Sequence, residues 1–273
     1  MNYKKKKYNV ISLHFTTDCN LDCPFCYRPK KTKNNKEHKW FIELIPYLSK
    51  LTNQIAIGGG EPFMHPEFIK EFSKVAKDYN LITNVTTNGT LPMRKYIDNV
   101  EMVSVSLDKY KYGLGLDSLN KFIKNIKQLK NKTRIGCNLL MDNYYVDNPI
   151  VFIKLLDKLF KNVERVFALY PKNWKFIDIL KARPIYLLPT LKYKHFYVDD
   201  LTNKIIVENK YNNWNKPCHF GKSLISIDER GYIYGCSFSN TPILKLDNPK
   251  DLMKVKNIKL KERYSCPYLK IQN

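Results

Sequence analysis

The sequence has 273 residues, 44% of them hydrophobic and 13% aromatic, which is enough for one large domain with or without a small appendage. No apolar run approaches the ~18 residues of a membrane span, and no secretory signal precedes the first strand, so we expect a cytoplasmic protein without membrane contact. The net charge of +22 permits a polyanionic partner such as tRNA. The lysines are scattered, however, which favours a purely compositional origin for this charge.

The first predicted element is a short strand at residues 10–15, where apolar and polar residues alternate. It leads into a loop that carries Cys19, Cys23 and Cys26 within eight residues. Three thiolates this close can bind one compact metal unit, and three ligands on a four-iron cluster leave one iron with an open coordination position. Seven cysteines, an odd number, disfavour a disulfide framework. A structural zinc site is disfavoured because no second pair of ligands lies nearby.

Strands and helices then alternate along the chain. Further strands are predicted at 54–57, 83–87, 102–107, 134–140 and 163–169, and helices at 40–51, 68–76, 93–97, 119–129 and 149–160. Pro46 should kink or divide the first of these helices. Six strand-helix units indicate an α/β fold with a parallel sheet, specifically a partial (β/α)6 TIM-like barrel. We expect a basic tail at 1–7, the barrel at 8–170 and a C-terminal extension at 171–273.

Polar segments fall at or near the predicted carboxyl ends of the strands, where ligands bind in parallel α/β folds. Besides the cysteine loop they are 58–62 (Gly-Gly-Gly-Glu-Pro), 86–89 (Thr-Thr-Asn-Gly), Ser104, Ser106, Asp108 and Asn138. The glycines would let backbone groups approach a ligand closely, although a plain glycine turn would look the same. Ordinary capping or turn formation is an equally good interpretation of Asp108 and Asn88.

The motif Cys19-x3-Cys23-x2-Cys26, with Phe25 before its last cysteine, resembles the signature of the radical S-adenosylmethionine (radical SAM) enzymes. The resemblance implies the partial barrel and a [4Fe-4S] cluster on the three cysteines, with the fourth iron chelated by the methionine part of SAM. It also implies a reductant such as flavodoxin or ferredoxin. Cleavage of SAM at the reduced cluster would give a 5′-deoxyadenosyl radical that takes a hydrogen atom from the substrate. No catalytic protein side chain is identified.

The resemblance also implies a set of SAM contacts. Backbone groups of Gly58, Gly59 and Gly60 would bind the amino group of SAM, Glu61 would hold that loop, Thr87, Ser106 and Asn138 would contact the carboxylate and ribose, and Phe25 would place its backbone against the adenine. Tyr27 could instead cover the cluster. His14, His65 and Cys137 stand alone in the sequence and are interpreted as core or surface residues.

The C-terminal part contains three further cysteines. Cys218-x12-Gly231-x4-Cys236, with a hairpin-like run at 225–234, resembles the opening of the SPASM and twitch extensions of radical SAM enzymes. This implies an auxiliary [4Fe-4S] cluster, with Cys266 as a third ligand and no fourth cysteine. Zinc or another metal, or unligated thiols that donate a hydrogen atom, are the alternatives. Residues 181–208 are interpreted as short β-like runs without a strand-helix unit.

The preferred function is modification of a peptide or protein by crosslinking, epimerisation or oxidation, because relatives with such extensions often modify peptides. Dehydrogenation of a small molecule, nucleotide modification and tRNA modification are the alternatives within the same class. A non-catalytic iron-sulfur or zinc protein that binds nucleic acid is the alternative of a different class. It would neither bind SAM nor form 5′-deoxyadenosine.

Overall fold

A computed structural model describes residues 6–28, 32, 33, 35–169, 179–204, 208, 216–264 and 266. Its strands are β1 (Val10–His14), β2 (Gln54–Gly58), β3 (Ile82–Thr87), β4 (Met102–Leu107), β5 (Arg134–Leu140), β6 (Arg165–Leu169), β7 (Phe196–Val198), β8 (Leu224–Ile227), β9 (Tyr232–Tyr234) and β10 (Leu244–Lys245). Its α-helices are α1 (His38–Glu43), α2 (Ile45–Leu48), α3 (Pro66–Asp78), α4 (Lys109–Tyr112), α5 (Gly115–Ile126), α6 (Asn143–Asp147), α7 (Pro149–Leu159), α8 (Ile179–Lys192) and α9 (Asp200–Thr202). Turns of 3-10 helix occupy Pro62–Met64, Arg94–Tyr96, Lys127–Leu129 and Pro249–Asn257.

All ten strands form one sheet in the order β10-β9-β8-β1-β2-β3-β4-β5-β6-β7. Strands β1 to β7 are parallel in chain order, and β8 pairs in parallel with the free side of β1. The β8–β9 and β9–β10 pairs are antiparallel. Within the described residues β10 and β7 are not paired with each other, so the sheet is open. The predicted α/β class with a parallel sheet is therefore confirmed, in the form of an open sheet and not a closed barrel.

The two faces of the sheet differ in chemistry because strand side chains alternate between them. In β1, Ile11 and Leu13 are fully buried and join the apolar core that the helices cover. Ser12 and His14 lie on the opposite face, together with Thr86 and Ser106. We call this opposite face the polar face. The carboxyl ends of the parallel strands meet along one edge, which we call the rim.

Pro46 divides the first predicted helix, as the sequence indicates. Helix α1 ends at Glu43, and α2 begins at Ile45 with Pro46 in its first turn. A proline in the first turn removes a backbone N–H that has no helical partner there, so a new helix can start at that point. Phe41, Ile45 and Leu48 still point into the core.

The interpretation of residues 181–208 as lacking a strand-helix unit is wrong. Residues 179–192 form α8, and β7 then pairs in parallel with β6. Ala182, Ile185 and Tyr186 recur at helical spacing and are buried, but Pro184 and Pro189 lie inside the helix. Prolines inside a segment disfavour a helix when only local residue preferences are considered. Here burial of the apolar side chains outweighs that preference.

The predicted boundary between barrel and extension, at 170–171, lies outside the described residues, as do residues 1–5 of the basic tail. The predicted hairpin at 225–234 is formed by β8 and β9. Because β8 continues the parallel sheet beside β1, the C-terminal part is joined to the first strand by backbone hydrogen bonds. No helix in the described part of the chain is long and apolar enough to cross a membrane.

Candidate active site

The three N-terminal cysteines lie in the loop that follows β1 at the rim. Cys19 and Cys26 are exposed and Cys23 is half-buried. The Cys26 N–H donates to the Cys23 carbonyl oxygen at 3.0 Å, and the Leu21 N–H donates to the Cys19 Sγ at 3.4 Å. Partial burial raises the pKa of the Cys19 and Cys23 thiols, and the other cysteines of the loop add to this effect. The loop thus carries three thiols within eight residues, and binding of iron would displace their protons.

The glycine segment after β2 packs directly against the start of this loop. The Gly60 N–H donates to the Thr16 carbonyl oxygen at 2.8 Å, and the Glu61 N–H donates to the Asp18 carbonyl oxygen at 2.7 Å. A Cβ built on Gly60 would lie 2.1 Å from the Asp18 oxygen. Glycine is therefore required for this approach. The N–H groups of Gly60 and Glu61 are thus already bonded to the loop. A ligand amino group at this segment would donate its hydrogen bonds to backbone carbonyl oxygens.

Glu61 connects the ends of β2 and β3. Its carboxylate is buried and accepts hydrogen bonds from the Phe63 N–H, the Thr87 hydroxyl and the Asn88 N–H at 2.7–3.0 Å. Burial raises the pKa of Glu61, while the three hydrogen bonds lower it. Glu61 therefore fixes the backbone of both strand ends, as expected of a residue that holds the glycine loop.

The predicted SAM contacts on β3 to β5 lie on different faces. Ser106 and Asn138 are register partners on the polar face, and both are partly exposed. Thr87 lies on the buried face, and its hydroxyl donates to Glu61. Its neighbour Thr86 is the exposed side chain on the polar face. The structure thus brings Ser106 and Asn138 together and places Thr87 where it acts on Glu61; direct contact of Thr87 with SAM remains a prediction.

Side chains for which the sequence predicts no role in the site, or only a turn, tie the cysteine loop to the rim. His65 lies 2.8 Å from the Asp18 carboxylate and 3.2 Å from the Thr16 hydroxyl. Asn88 donates from Nδ2 to the Asn20 side-chain oxygen at 2.9 Å, and Asn20 donates in turn to the Thr90 hydroxyl. These contacts join segments far apart in the chain, so no local pattern could indicate them.

A buried ion pair lies beside the loop. Asp108 caps α4 by accepting from the N–H groups of Tyr110 and Lys111, and its second oxygen lies 2.7 Å from the Lys111 Nζ. Both side chains are almost fully buried. They also influence Cys23, because the Asp108 carboxylate raises and the Lys111 ammonium lowers the pKa of that thiol after burial has raised it. Asp108 thus has a structural role, as the capping interpretation indicated.

Phe25 packs its ring on Tyr110 at a centroid distance of 5.3 Å. This contact packs the part of the cysteine loop next to Cys26 against α4. The adenine contact predicted for the Phe25 backbone is not tested by this arrangement. Tyr27 packs against Phe238 at 4.6 Å, which brings the cysteine loop next to the segment after Cys236.

The segments that carry the three C-terminal cysteines are joined to one another by backbone hydrogen bonds. The Cys218 N–H donates to the Arg263 carbonyl oxygen at 2.6 Å, and the Gly221 N–H donates to the Gly235 carbonyl oxygen at 2.8 Å. Cys218, Cys236 and Cys266 are each half-buried. Among the described residues no three His, Cys, Asp or Glu side chains form a site for a single metal ion. The thiolate ligands of a cubane bind different irons at separate corners, so they need not meet at one point.

A second buried ion pair joins the cysteine loop to the C-terminal hairpin. The Arg28 guanidinium lies 2.6 Å from the Glu229 carboxylate, and Glu229 is 1% exposed. The Lys36 N–H donates to the Glu229 carbonyl oxygen at 2.8 Å. The turn between β8 and β9 therefore supports the chain on both sides of the undescribed residues 29–31.

Comparison with known proteins identifies the family. Residues 13–143, which include the cysteine loop and the glycine segment, match the family model of the Radical SAM superfamily. The chain belongs to the radical SAM superfamily. It is thus an enzyme, and the non-catalytic alternative is set aside. An uncharacterised protein of Methanocaldococcus jannaschii is 26% identical to this radical SAM enzyme over 95% of its chain and 96% of the relative.

Two solved structures share the fold of this radical SAM enzyme. The match with SuiB of Streptococcus suis covers 96% of this chain and 67% of the SuiB chain, with 15% identity and a TM-score of 0.70. The structure entitled native anSMEcpe with bound AdoMet and Cp18Cys peptide covers 90% of the chain and 79% of its own, with 16% identity and a TM-score of 0.64. At these identities the likeness shows the fold alone.

Membership of the radical SAM superfamily implies a [4Fe-4S] cluster that binds SAM. The residues present fit this group: the loop at the rim carries three thiols within eight residues, and the adjacent Gly60 packs its backbone against that loop so closely that a Cβ would collide. Cys218, Cys236 and Cys266 lie beyond the matched residues, so the family match does not extend to a second cluster.

Proposed function

We propose that this radical SAM enzyme removes a hydrogen atom from a peptide or protein substrate and so crosslinks, epimerises or oxidises it. When bound and reduced, the cluster supplies the electron that cleaves SAM into methionine and the 5′-deoxyadenosyl radical that takes this hydrogen atom. The proposed electron source is a reductant such as flavodoxin or ferredoxin. The seven cysteines, all of them within the described residues, form no disulfide, which suits the reducing cytoplasm.

The observation that carries this proposal is the open polar face of the sheet. A closed barrel would enclose its interior, whereas within the described residues β7 and β10 are the unpaired edges of an open sheet. Thr86, Ser106 and Asn138 are exposed or partly exposed along it. An extended peptide could therefore reach the rim without being fully enclosed. In support, one protein of the same fold has been solved with AdoMet and a peptide bound.

Each predicted site residue has a role in this proposal. Cys19, Cys23 and Cys26 would hold the cluster, and backbone carbonyl oxygens of Gly58–Gly60 would orient the amino group of SAM. Glu61, anchored by Thr87, would keep that backbone in place. Ser106 and Asn138 would bind the carboxylate or ribose from the polar face. Phe25 would direct its backbone toward the adenine.

We also propose that Cys218, Cys236 and Cys266 hold an auxiliary [4Fe-4S] cluster. Support comes from the hydrogen bonds that bring their segments together and from the contact of Tyr27 with Phe238, which places this region beside the cysteine loop. A cluster with three protein thiolates would keep one iron open for a substrate group or a non-thiolate ligand.

The substrate class can be tested with deuterated cell fractions. The producing organism is grown in D2O, and its extract is separated into peptides with proteins, small molecules, and tRNA. Each fraction is incubated anaerobically with reconstituted enzyme, SAM and dithionite, and 5′-deoxyadenosine is analysed by mass spectrometry. Transfer of deuterium raises its mass by about 1 Da, because the radical takes its hydrogen atom from the substrate.

Enrichment with the peptide fraction alone is the expected result. Enrichment with the small-molecule or tRNA fraction alone would reject a peptide substrate in favour of that class. Absence of 5′-deoxyadenosine with every fraction, from protein that holds iron, would contradict the proposed SAM cleavage itself. Enzyme with Cys19, Cys23 and Cys26 changed to Ala is the matched control.

A further inference from the structure

His14 is the last residue of β1 and lies on the polar face, directly opposite Gly58 in the parallel register. A Cβ built on Gly58 would lie 3.7 Å from Cδ2 and 3.9 Å from Nε2 of His14. The Nε2 edge of the imidazole therefore borders the space beside the first residue of the glycine segment. A ligand that occupied this space would touch the ring.

The hydrogen bonding of His14 is incomplete in the part of the chain that the structure describes. The side chain is 5% exposed, and its Nδ1 has no hydrogen-bond partner. A buried polar atom without a partner costs free energy, so a histidine kept only for packing would be a poor choice for this site. Burial, assisted by the Arg28 charge, lowers the pKa of His14 to about 3. The imidazole is therefore neutral at pH 7 and can donate from one nitrogen while it accepts at the other.

We propose that His14 is a further SAM-binding residue, which forms a hydrogen bond through Nε2 to SAM held at Gly58–Glu61. This inference depends on the proposed SAM site and adds to it a side chain from β1, on the side of the glycine segment away from β3. The ligand would give Nε2, the ring nitrogen that borders this space, a hydrogen-bond partner, while the buried Nδ1 keeps none among the described residues. His14 would thereby orient the bound molecule relative to the cysteine loop, which begins two residues later at Thr16.

The test is equilibrium dialysis of SAM with anaerobically reconstituted protein, without reductant, so that binding is measured apart from turnover. The Gln side chain places an amide group near the position of Nε2, whereas Asn reaches only to that of Nδ1 and Phe has no polar atom. We expect His14→Phe and His14→Asn to weaken SAM binding about tenfold, the value of one hydrogen bond to a charged ligand. His14→Gln should stay within about threefold of the natural protein.

Ser12→Ala is the matched control, because Ser12 lies on the same face of β1 two residues earlier. It should leave SAM binding unchanged. Iron per chain is measured for every variant, so that loss of the cluster is recognised separately. The assignment would be overturned if His14→Phe bound SAM as tightly as the natural protein. It would also be overturned if His14→Asn bound SAM more tightly than His14→Gln at equal iron content. If the natural protein with its full iron content bound no SAM, the proposed SAM site would fail instead.

Discussion

Gly60 has less space around its α-carbon than any other glycine beside the cysteine loop. A Cβ there would lie 2.1 Å from the Asp18 carbonyl oxygen, and backbone cannot move aside as the end of a side chain can. We expect Gly60→Ala to displace the start of the loop, to break the hydrogen bond from Gly60 to Thr16, and to lower iron retention after anaerobic reconstitution by more than half. Iron per chain and the melting temperature of the apoprotein measure these effects.

Gly58→Ala is the control for this prediction. The closest atoms to a Cβ on Gly58 are 3.7 Å away, which is ordinary van der Waals contact. Its iron content should equal that of the natural protein. If Gly60→Ala retained as much iron as Gly58→Ala, the close approach of the glycine segment would not be what positions the cysteines.

The neutral imidazole of His14 should make the apoprotein sensitive to acid. Burial lowers the pKa of His14 to about 3 in the folded state, whereas the unfolded chain takes up the proton near pH 6.5. The stability contributed by the neutral ring is therefore present above pH 6.5 and is lost as the pH falls below it. Between pH 7 and pH 5 this effect should lower the free energy of unfolding by about 2 kcal/mol.

Urea unfolding of the apoprotein at both pH values measures this change, and His14→Gln is the comparison because glutamine does not titrate. The variant should lose about 2 kcal/mol less between pH 7 and pH 5 than the natural protein. An equal loss in both proteins would mean that His14 is protonated in the folded state and not buried as a neutral ring.

Thr86 and Thr87 show how far sequence alone resolves the site. They are the last two residues of β3, and both are polar, so alternation cannot decide which of them faces the ligand. The choice is fixed by the register of β3 with β4 and by the hydrogen bond from Thr87 to Glu61. The cysteine loop and the glycine segment could be recognised because each needs special residues at fixed spacing, whereas a single hydroxyl does not.

Helices and strands also differ in how far the sequence alone predicts them. Strands β1 to β6 were predicted within a few residues because short apolar runs between loop residues indicate buried parallel strands. Helix α8 was missed because Pro184 and Pro189 contradict its local preference. Local preference was thus sufficient wherever packing agreed with it, and it failed where packing outweighed it.

The ion pair of Arg28 with Glu229 should be needed to hold the cysteine loop against the β8–β9 hairpin. The pair is buried, so Arg28→Met would remove the direct cation of the Glu229 carboxylate and leave it only the more distant Arg230 guanidinium, at 3.8 Å. We expect this change to lower the free energy of unfolding by about 3–5 kcal/mol. The double change Arg28→Met with Glu229→Gln should recover most of the loss, because no buried charge then remains unpaired.

Lys132→Met is the matched control, since the Lys132–Asp98 pair has the same 2.6 Å separation but is exposed to water. Solvent screens such a pair, so a much smaller change is expected. Urea unfolding of the apoproteins measures all three variants. An equal effect of Arg28→Met and Lys132→Met would show that the Arg28–Glu229 pair is also screened and does not fix the hairpin.

In the whole molecule, the unexpected feature is the place of the C-terminal part. The sequence indicated an extension after the barrel, yet β8 pairs with β1 and continues the same sheet. The pairing joins residues more than 200 positions apart, and nothing in a short strand such as Leu224–Ile227 specifies a partner at that distance. One consequence is that Cys218 and Cys236 flank the β8–β9 hairpin, whose first strand lies next to the strand that leads to Cys19.

The amount of iron per chain tests whether the protein holds one cluster or two. The natural protein should hold about eight irons after anaerobic reconstitution, four for each cubane. Changing Cys19, Cys23 and Cys26 to Ala should leave about four, and changing Cys218, Cys236 and Cys266 to Ala should also leave about four. Cys137→Ala is the control and should change nothing, because Cys137 is fully buried on β5 and burial raises the pKa of its thiol.

A variant without the N-terminal cysteines that held no iron would contradict the auxiliary cluster and leave the C-terminal thiols for zinc or for hydrogen-atom donation. The SAM site would survive that result, because it depends on the rim of β1 to β5. Loss of all iron from the C-terminal variant has a different meaning. The segment after Cys236 contacts the cysteine loop through Phe238 and Tyr27, so such a loss would show that the two regions assemble together and that the barrel cannot hold its own cluster alone.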